Sequence, residues 1–204
     1  MAELILESHV SPLDLEKIFG HSAPLQVDLG CGDGSLLSAL AARLPEKNFL
    51  GIERLSRRIR KAVAKTASLG NVRLLAVESS YAVRYLLPAD SVETFYLLFP
   101  DPWPKRRHHR RRIVTVDFLD SVRAALGDSG VLLIATDDLD YFREIKRVTQ
   151  NHSGFVTVDV TNRFGTPESW RRRVDLPITK FERKYCERGV PIHGLELRKI
   201  SLVT

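Results

Sequence analysis

Val27-Asp28-Leu29-Gly30-Cys31-Gly32-Asp33-Gly34 reads as the end of a buried strand, a sharp turn and the opening of a helix. Three glycines at alternate positions free the backbone to turn tightly and to approach a ligand, because no Cβ stands in the way. The spacing is GxGxG, not the GxGxxG that seats a pyrophosphate at a helix N-terminus. An acid, Asp28, stands two residues before the first glycine. A carboxylate there repels a pyrophosphate and suits a ligand end that carries cationic groups.

Outward from this turn, short apolar runs alternate with stretches of helical periodicity. Leu25–Leu29, Asn48–Ile52, Val72–Val77, Val92–Phe99, Val131–Ala135 and Phe155–Val160 read as strands. Ser35–Leu44, Arg54–Leu69, Ser79–Leu87, Val114–Leu126 and Leu139–Gln150 place apolar residues at three- and four-residue steps and read as helices. Gly70-Asn71 and Gly127-Asp128-Ser129-Gly130 are helix stops ahead of the next strand. The pattern predicts a doubly wound α/β fold: a mostly parallel sheet with helices on both faces. With 204 residues, 44% of them hydrophobic, the chain can bury one full core, so 1–204 is expected to form a single domain with residues 1–24 as a leader.

Glu53 ends the second strand, where a carboxylate can accept both hydroxyls of a ribose. Asp28, the glycines and Glu53 together favour S-adenosylmethionine over NAD. Two cysteines, Cys31 and Cys186, without CxxC spacing or a nearby His pair, give no metal site and suit a reducing cytoplasm. The apolar runs have the length of strands and not of membrane spans. Basic residues number 31 against 25 acids, a balance of +6 that suits a polyanionic partner. Monomer and homodimer are both left open.

Two segments fall outside the strand-helix alternation. Thr161–Pro177 holds Arg163, Arg171, Arg172 and Arg173 beside two prolines and Trp170. The other segment, Leu98-Phe99-Pro100-Asp101-Pro102-Trp103-Pro104-Lys105-Arg106-Arg107-His108-His109-Arg110-Arg111-Arg112, follows the fourth strand. Its three closely spaced prolines stiffen a loop at the carboxyl edge of the sheet and fix Asp101 and Trp103 there. Six of the eight residues from Lys105 to Arg112 are Lys or Arg, and the others are His, a density that beside a cofactor site points to phosphate binding. Trp103 reads either as a platform for an extruded base or as loop packing.

These residues resemble the class I methyltransferases, whose first motif is an acid followed by GxGxG. The PDPWPKRRHHRRR stretch, Ala135-Thr136-Asp137 and Thr179-Lys180-Phe181-Glu182 resemble the bacterial tRNA (guanine-N7)-methyltransferases. The similarity runs from about Phe19 to the C-terminus. It implies an enzyme that methylates guanine N7 in tRNA, in the family a variable-loop guanine. By that resemblance Asp28, Gly30, Gly32, Gly34, Glu53, Glu78 and Asp101 border the donor, with Asp101 as catalytic residue. Lys105, Asp137, Thr179, Lys180, Phe181 and Glu182 contact the tRNA or its target base, joined on charge and stacking grounds by Trp103, Arg106, Arg107 and Arg110. Glu78, with Ser79 or Ser80 as alternatives, would touch the adenine; Glu78 reads equally well as a helix cap. Asp28 stands where Glu is commoner and Glu78 where Asp is usual, and the leader is shorter than in relatives with an N-terminal arm. Rival readings are methylation of rRNA, and an RNA-binding module with a degenerate pocket.

The chemistry needs no protein nucleophile. Guanine N7 holds an in-plane lone pair at neutral pH and attacks a sulfonium methyl directly, so positioning supplies much of the rate. A carboxylate that accepts from guanine N1–H and its amino group would stabilise the charge arriving on the ring. Asp101, Asp137 and Glu182 are the candidates, and Asp101 is the expected one.

Overall fold

The computed structural model describes residues 2–6, 8, 10–159, 176–177, 183 and 187–200. Its elements in chain order are β1 (Glu3–Leu4), α1 (Leu15–Phe19), β2 (Leu25–Leu29), α2 (Ser35–Arg43), β3 (Asn48–Ile52), α3 (Ser56–Thr66), β4 (Val72–Leu75), α4 (Ser79–Tyr81), β5 (Val92–Leu98), α5 (Val116–Ala125), β6 (Leu126–Thr136), α6 (Leu139–Gln150), β7 (Phe155–Asp159) and β8 (His193–Lys199). One eight-stranded sheet has the order β1-β4-β3-β2-β5-β6-β8-β7. All pairings are parallel except those of β8, which lies antiparallel between β6 and β7.

Every residue of β2 and β3 is buried, as expected of central strands covered on both faces. On one face Val27, Leu29, Leu50 and Ile52 pack with Phe118, Leu119 and Val122 of α5 and Phe142 and Ile145 of α6. On the other, Phe49, Leu74 and Leu133 pack with Leu36, Leu37 and Leu40 of α2 and Ile59 and Ala62 of α3. The expected doubly wound architecture is therefore the observed one.

The departures have local causes. The helix expected from Arg54 begins at Ser56, because the Glu53 side chain accepts a hydrogen bond from the Leu55 N–H at 2.9 Å and keeps residues 54–55 in a turn. The helix expected over 79–87 is one α-turn that widens into a π-helix over Ala82–Leu86 and ends before Pro88. Residues 127–130 do not separate helix from strand. The register jumps from Val92↔Leu126 to Thr94↔Val131, so they bulge out of a strand already begun. The sequence reading had no β1, α1 or β8. The α1 turn is closed by Asp14, which accepts from Lys17 N–H at 3.0 Å, and by Gly20 at φ 80°.

Candidate active site

The carboxyl ends of β2, β3 and β5 and the N-terminus of α4 surround one cleft of about 550 Å³, lined by Gly30, Glu53, Glu78, Asp101 and Trp103 together with Arg54, Leu55, Arg58 and Arg111. This is the crevice at which open α/β sheets take ligands. Behind its floor lies the glycine turn, held to the next strand by Gly30 and Cys31 N–H groups that donate to the Ile52 carbonyl at 2.8 and 3.0 Å. Gly30 has φ 82° with open space around a would-be Cβ, so the backbone angle is what excludes other residues. Gly34 has φ 73°, and a Cβ there would also sit 2.9 Å from Ala62 Cβ on α3. The turn's outer side is anchored by Lys65, whose ammonium reaches Asp33 at 2.7 Å and Ser35 Oγ at 2.5 Å.

Asp28 and Glu53 are each 4% exposed. Burial, reinforced by the charge of Glu53, pushes the Asp28 carboxyl up from 3.8 to about 7. Glu53 receives the Leu55 N–H and one guanidinium nitrogen of the half-exposed Arg58 at 3.4 Å. Among the described residues no cation pairs with Asp28. Of the two buried acids only Glu53 meets a cation, the half-exposed Arg58, and a cationic ligand end would relieve that imbalance, so these residues fit a sulfonium donor. Cys31 has its thiol raised well above its ordinary value by burial and then by Asp28 and Glu53, which leaves it a packing residue.

Glu78 caps α4: its two carboxylate oxygens accept from the Ser80 and Tyr81 N–H groups at 3.0 and 2.8 Å. The cap reading is the observed one, and the same side chain lines the cleft. Phe99 and Trp103 bracket the Pro-rich loop with φ of 55° and 46°, a region that costs side-chain-bearing residues energy and recurs at functional loops. Asp101 sits exposed on this loop, 3.9 Å from an Arg54 guanidinium nitrogen. The Trp103 ring packs within the loop, with the Arg111 guanidinium 4.9 Å over it and the His108 ring edge-on at 5.8 Å.

Lys105, Arg106, Arg107 and Arg110 are exposed on or beside a 3-10 helix over Arg106–Arg111 that follows the loop. Asp137 follows β6 and is half-buried; it is not among the residues that line the cleft. Thr179, Lys180, Phe181 and Glu182 lie outside the described residues, as do Arg163, Trp170 and Arg171 to Arg173.

Arg112 is the functional residue that sequence reasoning placed wrongly. Counted with the basic surface, it is instead buried, with its Nε donating to the Pro102 carbonyl at 2.8 Å. Its terminal nitrogens meet Asp140 Oδ2 at 2.9 Å and Glu144 Oε2, and its plane lies 4.8 Å over the Tyr141 ring. Burial works against the charge, but the bonds to Asp140 and Glu144 outweigh it and hold the guanidinium above its usual value. Arg112 thus clamps the Asp101 loop onto α6.

A sheet of this order, with a glycine turn after β2 and an acid closing β3, defines a class I methyltransferase. A solved 16S rRNA methyltransferase, KamB, superposes with TM-score 0.61 over 94% of this chain and 95% of its own, at 17% identity, a likeness of fold alone. The model of a putative methyltransferase family matches residues 22–195. A tRNA (guanine-N7)-methyltransferase of Thermotoga maritima is 39% identical over 192 residues, 93% of this chain and 58% of that protein. One of Halorhodospira halophila is 37% identical over 188 residues, 91% of this chain and 79% of that protein. The chain belongs to the tRNA (guanine-N7)-methyltransferase family. It spans a little over half the length of the Thermotoga relative.

Proposed function

We propose that this protein transfers a methyl group from S-adenosylmethionine to N7 of a guanine in tRNA, a variable-loop guanine as in the family, and that it acts in the cytoplasm. The supporting observation is the convergence of Gly30, Glu53, Glu78, Asp101 and Trp103 on one cleft beside a basic helix, in a chain of this family. The donor supplies the methyl group on a cationic sulfur.

The chain's own residues hold, orient and shield. Glu53 takes the ribose hydroxyls, Glu78 borders the adenine, and Asp28 attracts the cationic end through the turn of Gly30, Gly32 and Gly34. Asp101 accepts from the guanine N1–H and amino group, which orients N7 and stabilises the charge that arrives on the ring. The N7 edge of an A-form helix lies in a groove too narrow for side chains, so the base must come from a loop or be drawn out of its stack. The face of Trp103 away from Arg111 suits such a base, while Lys105, Arg106, Arg107 and Arg110 take phosphates. Asp137 and the Thr179–Glu182 element are carried by the resemblance as further tRNA contacts.

The test is incubation with methyl-labelled donor and unmodified tRNA, then digestion to nucleosides. Label in 7-methylguanosine is expected; label only in another nucleoside, or transfer to rRNA and not to tRNA, would overturn the reading. Among the described residues no helix is long and apolar enough to cross a membrane.

A further inference from the structure

A second concavity, of about 580 Å³, shares no lining residue with the cleft and is lined by Pro104, Arg106, His109, Asp140, Arg143, Glu144 and Arg147. It forms where the 3-10 helix meets the outer face of α6. The inner face of α6 is spent on the core through Tyr141, Phe142 and Ile145. Arg143 and Arg147, one helical turn apart, project outward and are exposed.

The two acids of the concavity form no ion pair with these arginines among the described residues. Asp140 and Glu144 are both bonded from beneath by the buried Arg112. Arg106, Arg143 and Arg147 form no hydrogen bond or ion pair among the described residues. Three guanidinium groups with no hydrogen bond or ion pair among the described residues therefore face one hollow whose carboxylates are bonded to Arg112, with Arg143 near enough for its charge to act on Asp140 as well. His109, which shares the hollow, has a buried Nε2 with no hydrogen-bond partner among the described residues. Planar guanidinium forks match phosphate oxygens in bidentate fashion, whereas Pro104 is the only apolar residue lining the hollow among the described residues, too little for a protein hot spot.

We infer that this concavity is a second phosphate-binding site, which grips the backbone of the tRNA at a segment away from the target nucleotide. The inference rests on the tRNA reading proposed above. The loop of Asp101 and Trp103 then acts as a ridge, with the target base seated on one side and phosphates held by Arg106, Arg143 and Arg147 on the other. The site adds affinity and register for whole tRNA and makes no contact with the reacting atoms.

The test compares the parent with Arg143→Ala/Arg147→Ala and Arg143→Lys/Arg147→Lys, using full tRNA and a short stem-loop that carries only the target loop. Removing two phosphate contacts should lower the slope of log affinity against log salt by about 1.5 units. KM for full tRNA should rise roughly tenfold at 0.15 M salt, with kcat within about twofold of the parent, and kcat/KM on the stem-loop should stay within about twofold. The lysine pair, which keeps the charge, should retain the slope to within about half a unit. An unchanged slope in the alanine pair, an equal loss in the lysine pair, or an equal loss on the stem-loop would overturn the inference. Failure of the parent itself to methylate tRNA would instead sink the proposed function, and the salt slope would still report on the concavity.

Discussion

Asp28→Asn is expected to make the ligand-free protein more stable at alkaline pH. The carboxyl sits at about 7 in the folded chain against 3.8 ordinarily, so the fold binds its proton more tightly than the unfolded chain does. The associated stability is full below about pH 4, is lost as pH rises toward 7, and stays lost above it. A gap of about three units corresponds to roughly 4 kcal/mol at the plateau, of which about 2 to 3 kcal/mol accrues between pH 5 and pH 8. Burying an asparagine amide subtracts a pH-independent 1 to 3 kcal/mol or so. The informative quantity is therefore the change in the difference between parent and variant. Urea unfolding of both proteins at pH 5, 6, 7 and 8 measures it. The variant should gain about 2 to 3 kcal/mol on the parent across that range, and S-adenosylmethionine should stabilise the parent more than the variant at pH 8. A difference that stays constant to within about 0.5 kcal/mol would refute the idea that Asp28 is a strained acid awaiting a cation.

Arg112→Met should cost about 2 to 3 kcal/mol in thermal unfolding, less than a fully buried pair because Asp140 is 71% exposed and can re-solvate. It should also lower turnover by freeing the Pro102 carbonyl. Wild-type turnover in a folded Arg112→Met would show that the loop holds its shape without the clamp. Gly34→Ala combines a positive φ with a collision against Ala62, whereas Gly20→Ala, at φ 80°, meets nothing within 4 Å. The first should lose roughly twice the stability of the second, which should lose about 1 kcal/mol, as read by calorimetry; equal losses would remove the case for close packing of the turn on α3. Neutralising Arg106, Arg107 and Arg110 together should reduce the salt slope of tRNA binding by about two to three units. An unchanged slope would make the 3-10 helix an idle face.

The central strands were legible because burial on both faces leaves an uninterrupted apolar run, and Leu25–Leu29 and Asn48–Ile52 match their expected bounds. The short β1, only two residues, carries too little pattern to read. β8 alternates Leu195, Glu196, Leu197 and Arg198, yet Glu196 is buried, so polarity misstates its place inside the sheet. Of the expected acids and glycines, Gly30, Glu53, Glu78 and Asp101 line the cleft, whereas Asp28, Gly32 and Gly34 are not among its lining residues. Arg112 was not legible, because within a run of arginines only the position of Asp140 and Glu144 on α6 distinguishes a buried clamp from a solvated charge. Its one signal is the apolar Ile113-Val114 that follows, where the chain turns back to the core. The double role of Glu78, cap and cleft wall, likewise depends on where α4 begins.

A single preparation each of the parent, Asp101→Asn and Glu53→Gln, titrated with S-adenosylmethionine in a calorimeter and assayed for methyl transfer to tRNA, probes the cleft most directly. Asp101→Asn should bind the donor as the parent does while turnover falls by roughly ten- to a thousandfold. Glu53→Gln should lose donor affinity. Full turnover in Asp101→Asn, or undiminished donor affinity in Glu53→Gln, would contradict a cleft in which one acid holds the donor and the other serves the guanine.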